Sequence, residues 1–326
     1  TDVYIFQCLK YVLLDLIKRC FGCGIRLLER YVMNNFRGIL LMLVAMAGFT
    51  MEDLFVKKLS FGISTGQILM MLGIGSGTVF AVMAKSRGHF LTARHFWTRG
   101  MIGRFIAEGI AATAFVLSLT LIPLSTVAAV FQVTPLVITM GAALFLGEAV
   151  GWRRWSAILV GLIGVLIIIR PGMSAFDPNV GFILIAVLFV TMRDLITRGL
   201  PANVPSTVVS FQAFASIFIA GGVLIIFNSE SINKPSSIEL LYVLGGIVFG
   251  VIGYYGIVAA TRIGEAAVVT PFRYARLLFA LVVGFFVFHE RPDMWTLFGA
   301  SIVIATGVYT VWRERMLARN KARQSN

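Results

Sequence analysis

Charge is what this chain has least of. Only 13% of its 326 residues are charged, against about a quarter in an ordinary soluble domain, and 15 of them are acidic. Three histidines, His89, His95 and His289, stand far apart with no metal-ligand spacing. The three cysteines, Cys8, Cys20 and Cys23, all fall in the first 23 residues. Cys20 and Cys23 make one C-x-x-C pair with no second pair and no βαβ setting, which argues against a zinc site or a redox dithiol. No Walker A glycine loop is present, so direct ATP coupling within the chain is not expected. These absences leave no metal, no cofactor and no catalytic residue to assign. Long polar stretches are missing too, which excludes a soluble domain inserted between the hydrophobic segments.

What the chain has is apolar length: 58% of its residues are hydrophobic. From Phe36 onward, runs of about twenty such residues recur, each long enough to cross a hydrocarbon core of about 30 Å at about 1.5 Å per residue. The pattern predicts an all-α membrane protein with ten transmembrane helices, near 36–58, 65–84, 100–121, 125–147, 152–170, 179–199, 205–227, 238–261, 265–288 and 295–312. Short turn-forming links such as Ile122-Pro123 and Arg170-Pro171-Gly172 join them.

The net charge of +13 would point to nucleic acid in a soluble protein. Here the basic residues collect in alternate short loops: Lys85, Arg87, Arg94 and Arg99, then Arg153 and Arg154, Arg198, Arg262, and the tail from Arg313. That alternation is the positive-inside signature, so both termini are expected in the cytoplasm of a multi-pass inner-membrane protein. The expected partners are a small-molecule substrate, membrane lipid and, between copies, a homodimer, with no nucleic acid. Residues 1–35 read as an amphipathic N-terminal extension, with Phe6, Leu9, Leu13, Leu16 and Ile17 at helical spacing. Met33 is an alternative start, and 313–326 is a basic cytoplasmic tail.

The chain also repeats itself. Thr50-Met51-Glu52-Asp53-Leu54 answers Thr191-Met192-Arg193-Asp194-Leu195 at an offset of 141, and Leu144-Phe145-Leu146-Gly147-Glu148 answers Phe286-Val287-Phe288-His289-Glu290 at 142. Two five-helix repeats follow, 36–171 and 179–312. Because five is odd, the second repeat enters the membrane inverted, an organisation used by secondary carriers with alternating access.

Eight charges fall within predicted spans: Glu52, Asp53, Arg104, Glu108, Arg193, Asp194, Arg273 and Arg276. Each costs about 2.5–3.5 kcal/mol at a helix centre, so they are expected to face the bundle interior or a wet cavity. Arg104 and Glu108, four apart, share a helix face and can pair. Arg273 and Arg276 either hold an acidic, carbonyl or phosphate group of a substrate, or close a network with Glu108 or Asp194. Glu52, Asp53 and Asp194 are candidates for proton or ion coupling, unless Lys57 and Arg198, one turn on, neutralise them. Pro135 and Pro271 lie inside the fourth and ninth spans, where a missing N–H permits a bend toward a cavity.

With ten spans, the doubled unit and Gly147-Glu148 near the fourth span, the chain resembles the drug/metabolite transporter superfamily, specifically its EamA-type members. The likeness covers about residues 36–312. Pro271-Phe272-Arg273-Tyr274-Ala275-Arg276-Leu277-Leu278, followed by Glu290-Arg291-Pro292, is similar to a pattern frequent in such permeases. The resemblance implies a central cavity lined by spans 1, 3, 4, 6, 8 and 9, with Arg104, Glu108, Arg273, Arg276, Tyr274 and Phe131 as its candidate substrate residues. Similar proteins import riboflavin, transport S-adenosylmethionine or export amino acids and related metabolites. Riboflavin suits the aromatic side chains near Arg273, but no motif separates these substrates. A membrane-embedded enzyme or a channel would be the competing class.

Overall fold

The ten apolar runs become ten membrane-length helical spans. The computed structural model describes residues 34–89, 91, 97–147, 151–173, 176–198, 204–263 and 266–324. Residues 1–33 of the N-terminal extension, with its cysteines and Met33, together with His95 and Glu148, lie outside the described residues. No strand occurs among the described residues.

In chain order the helices are α1 (Asn34–Leu59), α2 (Thr65–Ser86), α3 (Arg99–Leu121), α4 (Leu124–Phe131), α5 (Thr134–Phe145) and α6 (Trp152–Ile169). The second half supplies α7 (Val180–Arg198), α8 (Ser206–Asn228), α9 (Ser237–Ile263), α10 (Ala266–Val269), α11 (Ala275–Phe288) and α12 (Met294–Gln324). The fourth and ninth spans are therefore composite. The α4 helix stops at Phe131 and α5 restarts at Thr134, with Pro135 in its first turn. A 3-10 segment, Thr270–Tyr274, containing Pro271, separates α10 from α11. The bends expected at the two prolines are thus local breaks of the α-helical pattern in a backbone that stays right-handed, because proline supplies no N–H and suits only a first helical turn.

Helix ends follow local chemistry. Thr98 caps α3 by accepting a hydrogen bond from the Met101 N–H (3.3 Å), and Ile122-Pro123 ends that helix. Arg170, in the left-handed region (φ 50°), closes α6 ahead of Pro171-Gly172.

Packing pairs two elements with their repeat counterparts. The α2 helix lies along α8, and α6 along α12. Glycines allow both crossings: Gly66 and Gly221 face each other's backbone, as do Gly164 and Gly299, and an added Cβ at any of the four would meet a carbonyl oxygen. The α3 helix lies along α7, and α1 matches this by lying along α9, where Gly48 meets Gly253 and Ala45 meets Gly256. The fold is two inverted five-helix repeats related by a pseudo-twofold axis that runs between these like pairs. Large apolar side chains such as Leu40, Ile74, Ile106, Leu188, Ile226 and Phe286 stay exposed on the periphery, as lipid solvation permits.

Candidate functional site

The two interrupted spans meet. Breaking a helix frees carbonyls that water cannot reach in a bilayer, and they need partners. The Gln132 side chain, at the α4–α5 break, donates to the carbonyl oxygens of Arg273 and Tyr274 in the 3-10 segment (both 3.4 Å). The break of one repeat thus satisfies the break of the other, and it places the Arg273 and Arg276 backbone at the join of the halves.

All eight intramembrane charges are among the described residues, and they sort into two networks and two remainders. Arg276 is held by Asp53 of α1 through Nε (3.2 Å) and Nη2 (2.9 and 2.7 Å). Its guanidinium also lies over the rings of Phe49, Phe115 and Phe131, at 5.3, 5.4 and 5.4 Å. A planar, multidonor cation suits such a site, with carboxylate at its edge and aromatic faces around it. The second network ties α3 to α7. Glu108 accepts from Arg193 (2.9 Å) and lies 3.4 Å from Arg104, while Arg193 also reaches Asp194 (2.9 Å). Arg104 Nε donates to the Thr197 hydroxyl (3.0 Å), and its buried Nη1 has no partner.

The remainders are Arg273 and Glu52. The Arg273 side chain lies within electrostatic reach of Asp194, Arg193 and Arg276, yet no hydrogen bond or ion pair to its guanidinium occurs among the described residues. Glu52 feels Asp53 and Arg276, and its carboxylate rests against the bare backbone of Gly250 in α9.

The sequence-predicted residues therefore divide. The Arg104–Glu108 pair forms as its spacing predicted. Phe131 does face the arginine cluster. Tyr274 does not: it is buried against α12, its hydroxyl at Gly307 and without a hydrogen-bond partner. Arg276 closes a network, but with Asp53 rather than Glu108 or Asp194. Lys57 neutralises neither Glu52 nor Asp53, because it turns to Glu290 instead, and the side chain of Arg198 lies outside the described residues. Sequence reasoning also missed Gln132, Phe49 and Phe115. A lone amide beside a predicted helix break was the available signal for Gln132.

One face of the bundle is laced across the repeats. Glu290, beyond α11, caps the N-terminus of α4 by accepting from the Leu124 N–H (2.7 Å), the Ser125 N–H (2.9 Å) and the Ser125 hydroxyl (2.8 Å), and it pairs with Lys57 (3.1 Å). Burial alone would raise this carboxyl, but the Ser125 and Leu124 donors and Lys57 outweigh it and hold it below the ordinary range. Glu230 likewise accepts from the Gly66 N–H at the start of α2 (2.9 Å), and Arg170 pairs with Asp293. Elsewhere a groove of about 480 Å³ between α3, α7 and α8 is lined by Phe105, Ile110, Phe182, Ile219 and Phe227. Its wall is almost wholly apolar and carries no charged residue.

The family model for EamA-like transporters matches twice, over residues 36–170 and 178–312. The chain belongs to the EamA-like transporter family. It is thus a multi-pass membrane protein of a transporter family, and the charged seam lies where the two EamA-like repeats meet. Among similar proteins is the S-adenosylmethionine uptake transporter of Rickettsia conorii, 29% identical over 211 residues, covering 64% of this chain and 70% of that one. The riboflavin transporter of Rhizobium johnstonii is 26% identical over 221 residues, 67% of this chain and 72% of its own. A solved crystal structure, 20% identical, superposes with a TM-score of 0.57 over 86% of this chain and 98% of its own, which supports the fold alone.

Proposed function

We propose that this EamA-like chain is a secondary transporter that carries S-adenosylmethionine, or a close adenosyl metabolite, across the inner membrane by alternating access. The observation that carries the reading is an arginine, Arg273, at the interrupted span where two inverted repeats join, whose side chain has no hydrogen bond or ion pair among the described residues. A free guanidinium inside a bilayer is costly unless a ligand completes it, and its planar donor fork matches a carboxylate. S-adenosylmethionine brings such a carboxylate. The first relative named above supports the same substrate. Arg276, already held by Asp53 and three rings, supports the join and is not free for substrate. Asp53 and Asp194, raised as coupling groups, are engaged by Arg276 and Arg193 and serve as partners in those networks. Alternating access would require the cross-repeat contacts at Lys57, Glu290 and Glu230 to part when that face opens.

Riboflavin is the second reading, favoured by the Phe49, Phe115 and Phe131 rings, on which a planar heterocycle can stack. Reconstitution in liposomes separates the two. Saturable uptake of S-adenosylmethionine, lost in a folded Arg273→Ala variant, is the expected result. Uptake of riboflavin in its place, or uptake indifferent to Arg273→Ala, would overturn the substrate or the role of the arginine, respectively.

A further inference from the structure

The repeat makes a comparison that neither half makes alone. Gly103 of α3 packs on Ile196 of α7, and at the matched positions Gly245 of α9 packs on Phe55 of α1. The offsets, 142 along α3 and α9 and 141 along α7 and α1, are the same two that relate the halves in sequence. Carried five residues along α3 and three back along α7, they superimpose the Glu108–Arg193 ion pair (2.9 Å) on Gly250 and Glu52. In one half a carboxylate meets a guanidinium. In the other a carboxylate, Glu52, meets a glycine, and no cation stands at the matched position.

We propose that Glu52 and the bare backbone of Gly250 form a cation subsite, filled by the positively charged group of the transported molecule. Three observations converge. Glu52 has no hydrogen bond or ion pair among the described residues, although an uncompensated carboxylate inside a membrane is among the costliest groups a helix can carry. Its nearest cation, Arg276, is already held in a two-nitrogen contact by Asp53. And Gly250 gives the Glu52 carboxylate room against the α9 backbone, since a side chain there would collide with it. Arg273 and Glu52, neither with a side-chain hydrogen bond or ion pair among the described residues, both feel the charge of Arg276. Together they ask for a ligand bearing a carboxylate and a separate cation. This inference rests on the transporter reading, and it deepens it by fixing the substrate class as a sulfonium amino acid, whose sulfonium charge Glu52 would meet, rather than a neutral heterocycle.

The test uses purified full-length protein in detergent. Calorimetric titration compares S-adenosylmethionine with its neutral thioether, S-adenosylhomocysteine, which lacks only the sulfonium charge and one methyl group. Wild type is expected to prefer the sulfonium by at least about tenfold, the size of a charge-assisted contact made out of water. Glu52→Gln, which keeps shape and removes charge, is expected to erase that preference and leave thioether affinity unchanged. Equal weakening of both ligands would make Glu52 structural and overturn the proposal. So would an intact sulfonium preference in Glu52→Gln accompanied by lost dependence of uptake on sodium or pH, which would make Glu52 a coupling group. Trimethylsulfonium is the control that needs no adenosyl site. If neither adenosyl compound binds but trimethylsulfonium still raises the melting temperature of wild type and not of Glu52→Gln, the cation subsite stands and the adenosyl reading falls. If trimethylsulfonium also has no Glu52-dependent effect, the subsite falls with it.

Discussion

Asp53 and Arg276 show why a single residue type is not interchangeable at this site. The guanidinium uses two nitrogens on one carboxylate and three ring faces at once, which a lysine ammonium cannot reproduce. Removing one partner of a buried pair leaves the other charge uncompensated, at a cost of about 3–5 kcal/mol. Asp53→Asn is therefore expected to lower the melting temperature in detergent sharply, and Arg276→Lys to lower it by a smaller amount. Equal melting temperatures for wild type and Asp53→Asn would show that the pair is not needed for the fold. Arg273 behaves differently because its side chain has no partner among the described residues: its removal is expected to spare folding and cost uptake.

At the scale of elements, the Glu290 clamp joins α1, the start of α4 and the end of α11. Its carboxyl is held below the ordinary value of about 4.3 in the folded state. A depressed carboxyl contributes stability that is complete above the ordinary range and is lost as pH falls through the depressed value. Wild-type melting temperature is therefore expected to be steady from neutral pH down to about pH 5, with respect to this group, and to fall below about pH 4. Glu290→Gln, which cannot carry the charge, is expected to start lower at neutral pH and to show a shallower acid decline. An acid decline in Glu290→Gln as steep as that of wild type would remove this carboxyl from the account. The interrupted spans follow the same logic of compensation. Two broken helices survive in a bilayer because Gln132 of one supplies donors to carbonyls of the other.

For the whole molecule, ten spans joined by short links with basic residues in alternate loops set the orientation. Reporter fusions or membrane-impermeant labelling at the two ends of the chain are expected to place both in the cytoplasm, with Lys57, Glu230 and Glu290 on the opposite face. Termini on opposite sides would contradict the even number of spans. The cross-repeat contacts on the Glu290 face are the ones that a rocking motion of one repeat against the other must break.

The sequence by itself determined the ten helices, their grouping into two inverted repeats and the presence of eight costly charges within them. These depend on local apolar length, on odd-numbered duplication and on residue identity, all of which are linear properties. Pairing was not linear. Arg104 with Glu108 was legible because four residues along one helix fix their separation, whereas Asp53 with Arg276 spans 223 positions and depends on how α1 meets the ninth span. Tyr274 sits one residue from Arg273 in the chain, but the tight turn of the 3-10 segment sends it toward α12 and away from the arginines. Only the tertiary structure decided which charges were neutralised, and so which two, Arg273 and Glu52, have no side-chain ion pair among the described residues. That choice is set by distances between helices, and helix spacing depends on small residues at crossings that no single span reveals.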